Sequence, residues 1–163
     1  FGRCTFLSMT FNQYIPLAVR TESPRSSCSE QNRLLHAAMG AMTESVELMG
    51  FTDQSNLTEE LGDICWYIAI AMDTIEPVDF QPVSNRSFNH LGREVIICNL
   101  CEQSSYLLDM TKKNVFYGRQ IDKVTFAQTC QPPCMVMPPP HRACACGHAG
   151  HWWWSRWRSL SRS

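Results

Sequence analysis

The sequence lacks any apolar run of the 18 or so residues that a membrane-spanning helix needs. It also lacks an opening in which a charged segment is followed by an apolar one, the pattern of a secretory signal. We therefore expect a cytoplasmic protein without a membrane partner. With 163 residues, of which 44% are hydrophobic, the chain has the length of one domain and enough apolar side chains for a core.

Acidic residues are missing from the end of the chain. All 15 of them lie at or before Asp122, whereas the last 40 residues carry four arginines and four of the five tryptophans. This asymmetry divides the chain into an acidic body and a basic, Pro-rich tail. The tail has no helical period, and we expect residues 129–163 to be unstructured or non-native sequence.

A disulfide framework is also not expected, although the chain has nine cysteines. The count is odd, and Cys65, Cys98 and Cys101 fall within apolar patterns of helical period. We expect these three side chains to be buried thiols.

Four carboxylates dominate the acidic body. Glu44 and Glu47 stand three residues apart in a helical pattern that we expect to span about residues 30–49, and Glu60 and Asp63 repeat the spacing in the next helical pattern. Residues three apart lie on one face of a helix. If the two helices pack antiparallel, the four acids converge, and their mutual repulsion favours a bound cation. Mg²⁺ prefers oxygen ligands, and Mn²⁺ is also possible.

Acidic pairs on helices are most often solvated surface charges. Here small residues lie beside the acids, namely Ala37, Gly40 and Ala41 in the first helix and Gly62 in the second. A glycine inside a helix costs about 1 kcal/mol relative to alanine, so two such glycines suggest close packing or a ligand. We therefore favour the metal site over the surface interpretation.

The segment EELGDICWYIAIAMD, preceded by the E-x-x-E pair, resembles the MazG-type all-α nucleoside triphosphate pyrophosphohydrolases. The resemblance covers about residues 9–73 well and residues 91–128 more weakly. It implies an all-α, four-helix-bundle-like core that binds Mg²⁺ through Glu44, Glu47, Glu60 and Asp63. It also implies hydrolysis of a nucleoside triphosphate to a monophosphate and pyrophosphate, with Glu47 or Glu60 as the catalytic base. The implied role is removal of unwanted nucleotides, and the expected assembly is a homodimer or tetramer.

The same resemblance organises the chain into three parts. Residues 1–8 are expected to be extra, residues 9–128 to form the helical domain, and residues 129–163 to be the irregular tail. The segment from Asn99 to Gln128 resembles a degenerate copy of the acidic helices, in which Glu102 matches the first acid and Ser105 replaces the second. Lys112, Lys113 and Arg119 could then contact the triphosphate, although lone basic residues are as often solvated.

The helix ends follow from local signals. The first helix is expected at about residues 10–21, with Pro16 kinking it or marking its first turn. Ser27 or Ser29 is expected to cap the second helix, and Ser55 or Asn56 the third, with Glu59 completing a capping box. A fourth helix should begin near Asn89 or His90. We expect Trp66 and Tyr67 to be packing residues, although a base-stacking pocket is the alternative.

Two other functions remain open. The chain could be a catalytically decayed helical interaction module, because it lacks the basic closing phrase of the MazG-type enzymes. Alternatively, Cys144, Cys146, His148 and His151 could bind zinc in a nucleic-acid-binding tail. Their spacing is tighter than that of common zinc sites, so a nucleic-acid partner is not expected.

Overall fold

The computed structural model describes residues 11–23, 29–75 and 93–130. Over these ranges the chain is all-α, which confirms the predicted fold class, and it contains no strand. The helices are α1 (Phe11–Val19), α2 (Glu30–Glu47), α3 (Gln54–Thr74), α4 (Arg93–Tyr117) and α5 (Lys123–Thr129), and a 3₁₀ turn (Leu48–Gly50) follows α2. Residues 1–8, the linker before α4 and residues 131–163 lie outside the described ranges, as do Ser27, Asn89 and His90. Two residues of the predicted irregular tail are structured, because Thr129 ends α5 and Cys130 is buried.

Helix α2 is the centre of the fold. It packs along α3 on one side and along α4 on the other, while α1 packs on α3 and α5 on α4. This arrangement of α1–α4 is consistent with a four-helix bundle. None of the described helices is both long enough and apolar enough to cross a membrane.

The buried face of α2 is built from small residues. Leu34, Ala37, Ala41 and Ser45 are buried and recur at intervals of three and four, so they form one stripe. The apolar residues in this part of the sequence also recur at intervals of three and four, and that pattern predicts that Val46 and Met49 belong to the buried face. They are instead 49% and 61% exposed. The small side chains allow α3 and α4 to approach α2 closely, and this is why the most hydrophobic residues do not mark the buried face.

One buried polar contact joins α2 to α4. The Ser45 hydroxyl donates to the Ala41 carbonyl at 2.6 Å and lies 2.8 Å from the Ser104 hydroxyl. Both serines are almost completely buried. The thiol of Cys101 contacts the Ser45 carbonyl at 3.2 Å. These contacts hold α4 against the half of α2 that carries Glu44.

The cysteines are less uniform than the sequence predicts. The four in the described ranges are all thiols, but only Cys130 is buried. Cys65 and Cys101 are half-buried, and Cys98 is exposed. The prediction that Cys98 is buried was therefore wrong, because α4 turns that side chain away from α2.

Helix starts are set by side-chain caps. Ser29 accepts from the Asn32 N–H and caps α2, as predicted. The predicted cap of α3 was wrong: Asp53, not Ser55 or Asn56, accepts from two backbone N–H groups and starts the helix at Gln54. A carboxylate that satisfies two of the four unpaired N–H groups at once defines the first turn.

A proline lies inside α1, and a glycine follows α4. Pro16 is in the interior of α1, past its first turn, where it has no N–H to donate to the carbonyl four residues earlier. Helix α4 ends at Tyr117, and the next residue, Gly118, has a φ of 64°, a conformation that other residues rarely adopt. The N–H groups of Gly118 and Arg119 donate to the last carbonyls of α4.

Candidate metal site

Three of the four predicted carboxylates meet between α2 and α3. Each of Glu44, Glu47 and Glu60 offers an oxygen that lies within 4.8 Å of the others. Glu44 is half-buried, Glu47 is exposed and Glu60 is only 8% exposed. The cluster therefore extends from the helix interface to the solvent.

Asp63 lies one turn after Glu60 on α3, close to this cluster but outside its 4.8 Å group. Its charge nevertheless contributes to the raised pKa values of Glu44 and Tyr67. The structure thus brings three of the predicted ligands together and leaves the fourth beside them.

Glu44 has the most perturbed ionisation in the cluster. The pKa of this carboxyl is raised from 4.5 to about 7, first by burial, then by a hydrogen bond with Glu60 and by the charges of Glu47, Asp63 and Glu60. Near neutral pH Glu44 therefore carries a proton in a substantial fraction of the molecules, and its hydrogen bond to Glu60 uses that proton. That proton does what a cation would do, because it relieves the repulsion between two facing carboxylates.

The separation of the oxygens suits a single divalent ion. Ligand oxygens lie about 2.1 Å from Mg²⁺, so two on opposite sides of it are about 4.2 Å apart. Only one pair among three ligands can be opposite, and neighbouring ligands are about 3.0 Å apart, so side-chain rotations must draw oxygens that now lie within 4.8 Å of one another closer together. All three donors are carboxylates, which is the chemistry that Mg²⁺ and Mn²⁺ prefer. Of the basic side chains that the structure describes, none forms an ion pair with these three glutamates.

Asn56 is a polar neighbour of the site that was not predicted from the sequence. The side-chain amide of Asn56 donates to Glu60 Oε1 at 2.6 Å. Asn56 stands four residues before Glu60 on α3, so the two share a face of the helix. That spacing was visible in the sequence, but Asn56 was interpreted only as a possible helix cap.

The aromatic residues after Asp63 pack, as predicted, but Tyr67 also borders the acids. Its ring lies on Gly40 and makes edge contacts with His36 and Trp66 at centroid distances of 5.4 and 4.9 Å. Burial raises the pKa of the Tyr67 phenol, and the charges of Glu44, Asp63 and Glu47 add to this. Gly40 is therefore required for packing, which explains one of the two glycines in the acidic helices.

Trp66 connects the aromatic residues His36 and Tyr67, on which it packs, to the end of α1. The indole N–H lies 2.8 Å from the Thr21 hydroxyl and 3.1 Å from the Ala18 carbonyl, to which it donates. A second contact lies nearby, where Arg33 bridges Glu22 at 2.8 Å and Asp73 at 2.7 Å. The end of α1 is thus held against both acidic helices.

The predicted substrate-binding lysines already have a partner. Lys112 and Lys113 pair with Asp109 at 2.8 and 2.5 Å, and their hydrogen bonds lower the pKa of that carboxyl to about 2. Arg119 is exposed in the turn after α4. The structure therefore gives no sign that these three residues act together. Cys144, Cys146, His148 and His151 lie outside the described residues.

In comparisons with known proteins, no family model, no curated protein and no solved structure matches this chain. The likeness to MazG-type enzymes consequently depends on the sequence motifs quoted above.

Proposed function

We propose that this chain is a MazG-like nucleoside triphosphate pyrophosphohydrolase that requires Mg²⁺ or Mn²⁺. Its reaction would be hydrolysis between the α and β phosphates, which yields a nucleoside monophosphate and pyrophosphate. The observation that supports this best is the approach of Glu44, Glu47 and Glu60 to within 4.8 Å across two helices.

In this proposal, Glu44, Glu47 and Glu60 hold the metal, and Asp63 joins them by a small movement of its side chain. When bound, Mg²⁺ supplies positive charge that neutralises phosphate oxygens and makes nearby water more acidic. The buried Glu60 anchors the site at the helix interface. The exposed Glu47 lies where a triphosphate and water arrive from solvent.

The exposure of the carboxylates favours Glu47 as the general base. Glu60 is buried and accepts from Asn56, and it also shares a hydrogen bond with Glu44. A carboxylate engaged in this way is a poor acceptor for another proton. Glu47 is open to solvent, so it can take a proton from an attacking water.

A second candidate is the helical interaction module that binds metal without turnover. It is favoured by the pairing of both Lys112 and Lys113 with Asp109, because lysines in ion pairs contribute less to holding a triphosphate. The two candidates share the metal site and differ only in catalysis.

A pyrophosphate-release assay separates them. The purified chain is given a panel of canonical and damaged nucleoside triphosphates with Mg²⁺, beside the variants Glu47→Gln and Asp63→Asn. Loss of a general base should lower turnover by about 100-fold or more. Glu59→Gln is the matched control, because Glu59 is an exposed acid next to Glu60 but outside the cluster.

The outcomes are distinct. Turnover that survives both Glu47→Gln and Asp63→Asn would refute the metal assignment. Metal binding by the unaltered chain, without turnover of any nucleotide, would support the interaction module.

We also propose that the chain forms a homodimer or tetramer. Met39, Val46 and Met49 leave apolar surface on the outer side of α2 and the turn after it. Light scattering after size-exclusion chromatography tests this directly, and a monomer at micromolar concentration would contradict it.

A further inference from the structure

We infer that Asn56 is a positioning residue that fixes the orientation of the Glu60 carboxylate for metal binding; this inference depends on the proposed metal site. The Asn56 side chain touches no other acid of the cluster through a described hydrogen bond. It acts on the site through Glu60 alone.

The orientation of the Asn56 amide is determined by its two neighbours. Its Oδ1 accepts from the Thr52 backbone N–H at 3.1 Å, and its Nδ2 donates to Glu60 Oε1 at 2.6 Å. Reversing the amide would place a donor against an N–H and an acceptor against a carboxylate. The backbone of Asn56 is also fixed, because its N–H donates to the capping carboxylate of Asp53 at 3.0 Å.

This arrangement matters because the last torsion of a glutamate is only weakly restricted. The short bond from Asn56 holds Oε1 and so fixes the plane of the Glu60 carboxylate. A carboxylate has room for several further contacts, so Glu60 can still bind a cation. Since Glu60 is only 8% exposed, water contributes little to its orientation.

The chemistry of the donor supports the same role. A lysine or arginine in place of Asn56 would also hold Glu60, but its charge would neutralise the carboxylate and compete with a metal. An amide donates without adding charge. Asn56 therefore orders the ligand while the negative charge of the cluster remains for the cation. Hydrogen-bond partners of this kind commonly change metal affinity 10- to 100-fold.

The test measures Mn²⁺ affinity by calorimetry on the purified full chain. Asn56→Leu removes the donor at similar volume and should weaken Mn²⁺ binding about 10-fold or more. Asn56→Gln retains an amide and should recover part of the affinity. Gln54→Ala, an exposed change in the same helical turn, is the control and should bind like the unaltered chain.

A double variant tests whether Asn56 acts through Glu60. In a Glu60→Gln background, Asn56→Leu should cause no further loss of Mn²⁺ affinity, because the carboxylate that it orients is gone. Full additivity of the two changes would overturn the inference, as would unchanged affinity in Asn56→Leu. If the unaltered chain binds no Mn²⁺, the proposed function and this inference both fail. If it binds and Asn56→Leu binds equally well, only the inference fails.

Discussion

Replacing Gly40 with alanine should destabilise the chain, although alanine is the better helix former. A methyl group at Gly40 would overlap three ring atoms of Tyr67, far closer than Cβ atoms approach other heavy atoms. The ring cannot move freely, because His36 and Trp66 pack on it. Such overpacking costs about 1–3 kcal/mol, whereas the helix gains about 1 kcal/mol from alanine. The net loss in free energy of unfolding should therefore be about 0–2 kcal/mol.

Urea denaturation followed by circular dichroism measures this loss, and a double-mutant cycle isolates its cause. In a Tyr67→Ala background the overlap disappears, so Gly40→Ala should there be stabilising by up to about 1 kcal/mol. Gly50→Ala is the control, because a Cβ at Gly50 meets no atom within 4 Å. If Gly40→Ala stabilised the chain equally in both backgrounds, the close approach of Tyr67 to α2 would be refuted.

Three further predictions concern other parts of the fold. In metal-free buffer, the free energy of unfolding should fall as the pH rises from 4.5 to about 7. The reason is that over this range the native state holds a proton on Glu44 that the unfolded chain releases. Solvent screening limits the change to on the order of 1 kcal/mol. Urea midpoints measured across this pH range give the change in stability, and the fall should vanish in Glu44→Gln. An equal fall in that variant would contradict the assignment of the raised pKa to Glu44. Ser45→Ala should cost about 1–3 kcal/mol, because it leaves the buried Ser104 hydroxyl without its partner. In the same assay, the double variant Ser45→Ala/Ser104→Ala should lose less free energy of unfolding than the two single variants lose together. Strict additivity would disprove the contact between the two hydroxyls. Arg33→Met should cost about 3 kcal/mol, because the nearly buried carboxylate of Glu22 loses its cation. Glu22→Gln should recover part of that loss in thermal melts, and a cost below about 1 kcal/mol would show that water already solvates the pair.

Much of the fold was predictable because helical periodicity and the Ser29 cap are local properties. The spacing of Glu44 with Glu47 also sufficed to place both on one helix face. Their approach to Glu60 followed from the short connection after Gly50, which leaves antiparallel packing as the simple solution. Whether a metal binds there stays a prediction.

The remaining features depend on packing that no local pattern reveals. The sequence favoured Val46 and Met49 for the core because they are hydrophobic, yet contact with α3 and α4 selects small residues. The cap at Asp53 competed with Ser55 and Asn56, and only the geometry of the first turn decides between them. Asn56 was consequently assigned to the wrong task, since Asp53 caps the helix while the Asn56 side chain joins Glu60 to the backbone N–H of Thr52.

The acids of the candidate site conflict with the stability of the helix pair that carries them. Two packed helices are more stable with apolar or uncharged residues at their interface than with facing carboxylates. The chain tolerates Glu60 there because Asn56 donates to it and because the raised pKa of Glu44 keeps that carboxyl partly protonated near neutral pH. The amide adds no charge, and the proton on Glu44 can leave when a metal ion binds, whereas a lysine would keep its positive charge in the site. Both therefore lower the cost of the folded, metal-free state while leaving the oxygens available to a cation, which is the combination expected of a binding site and not of a purely structural contact.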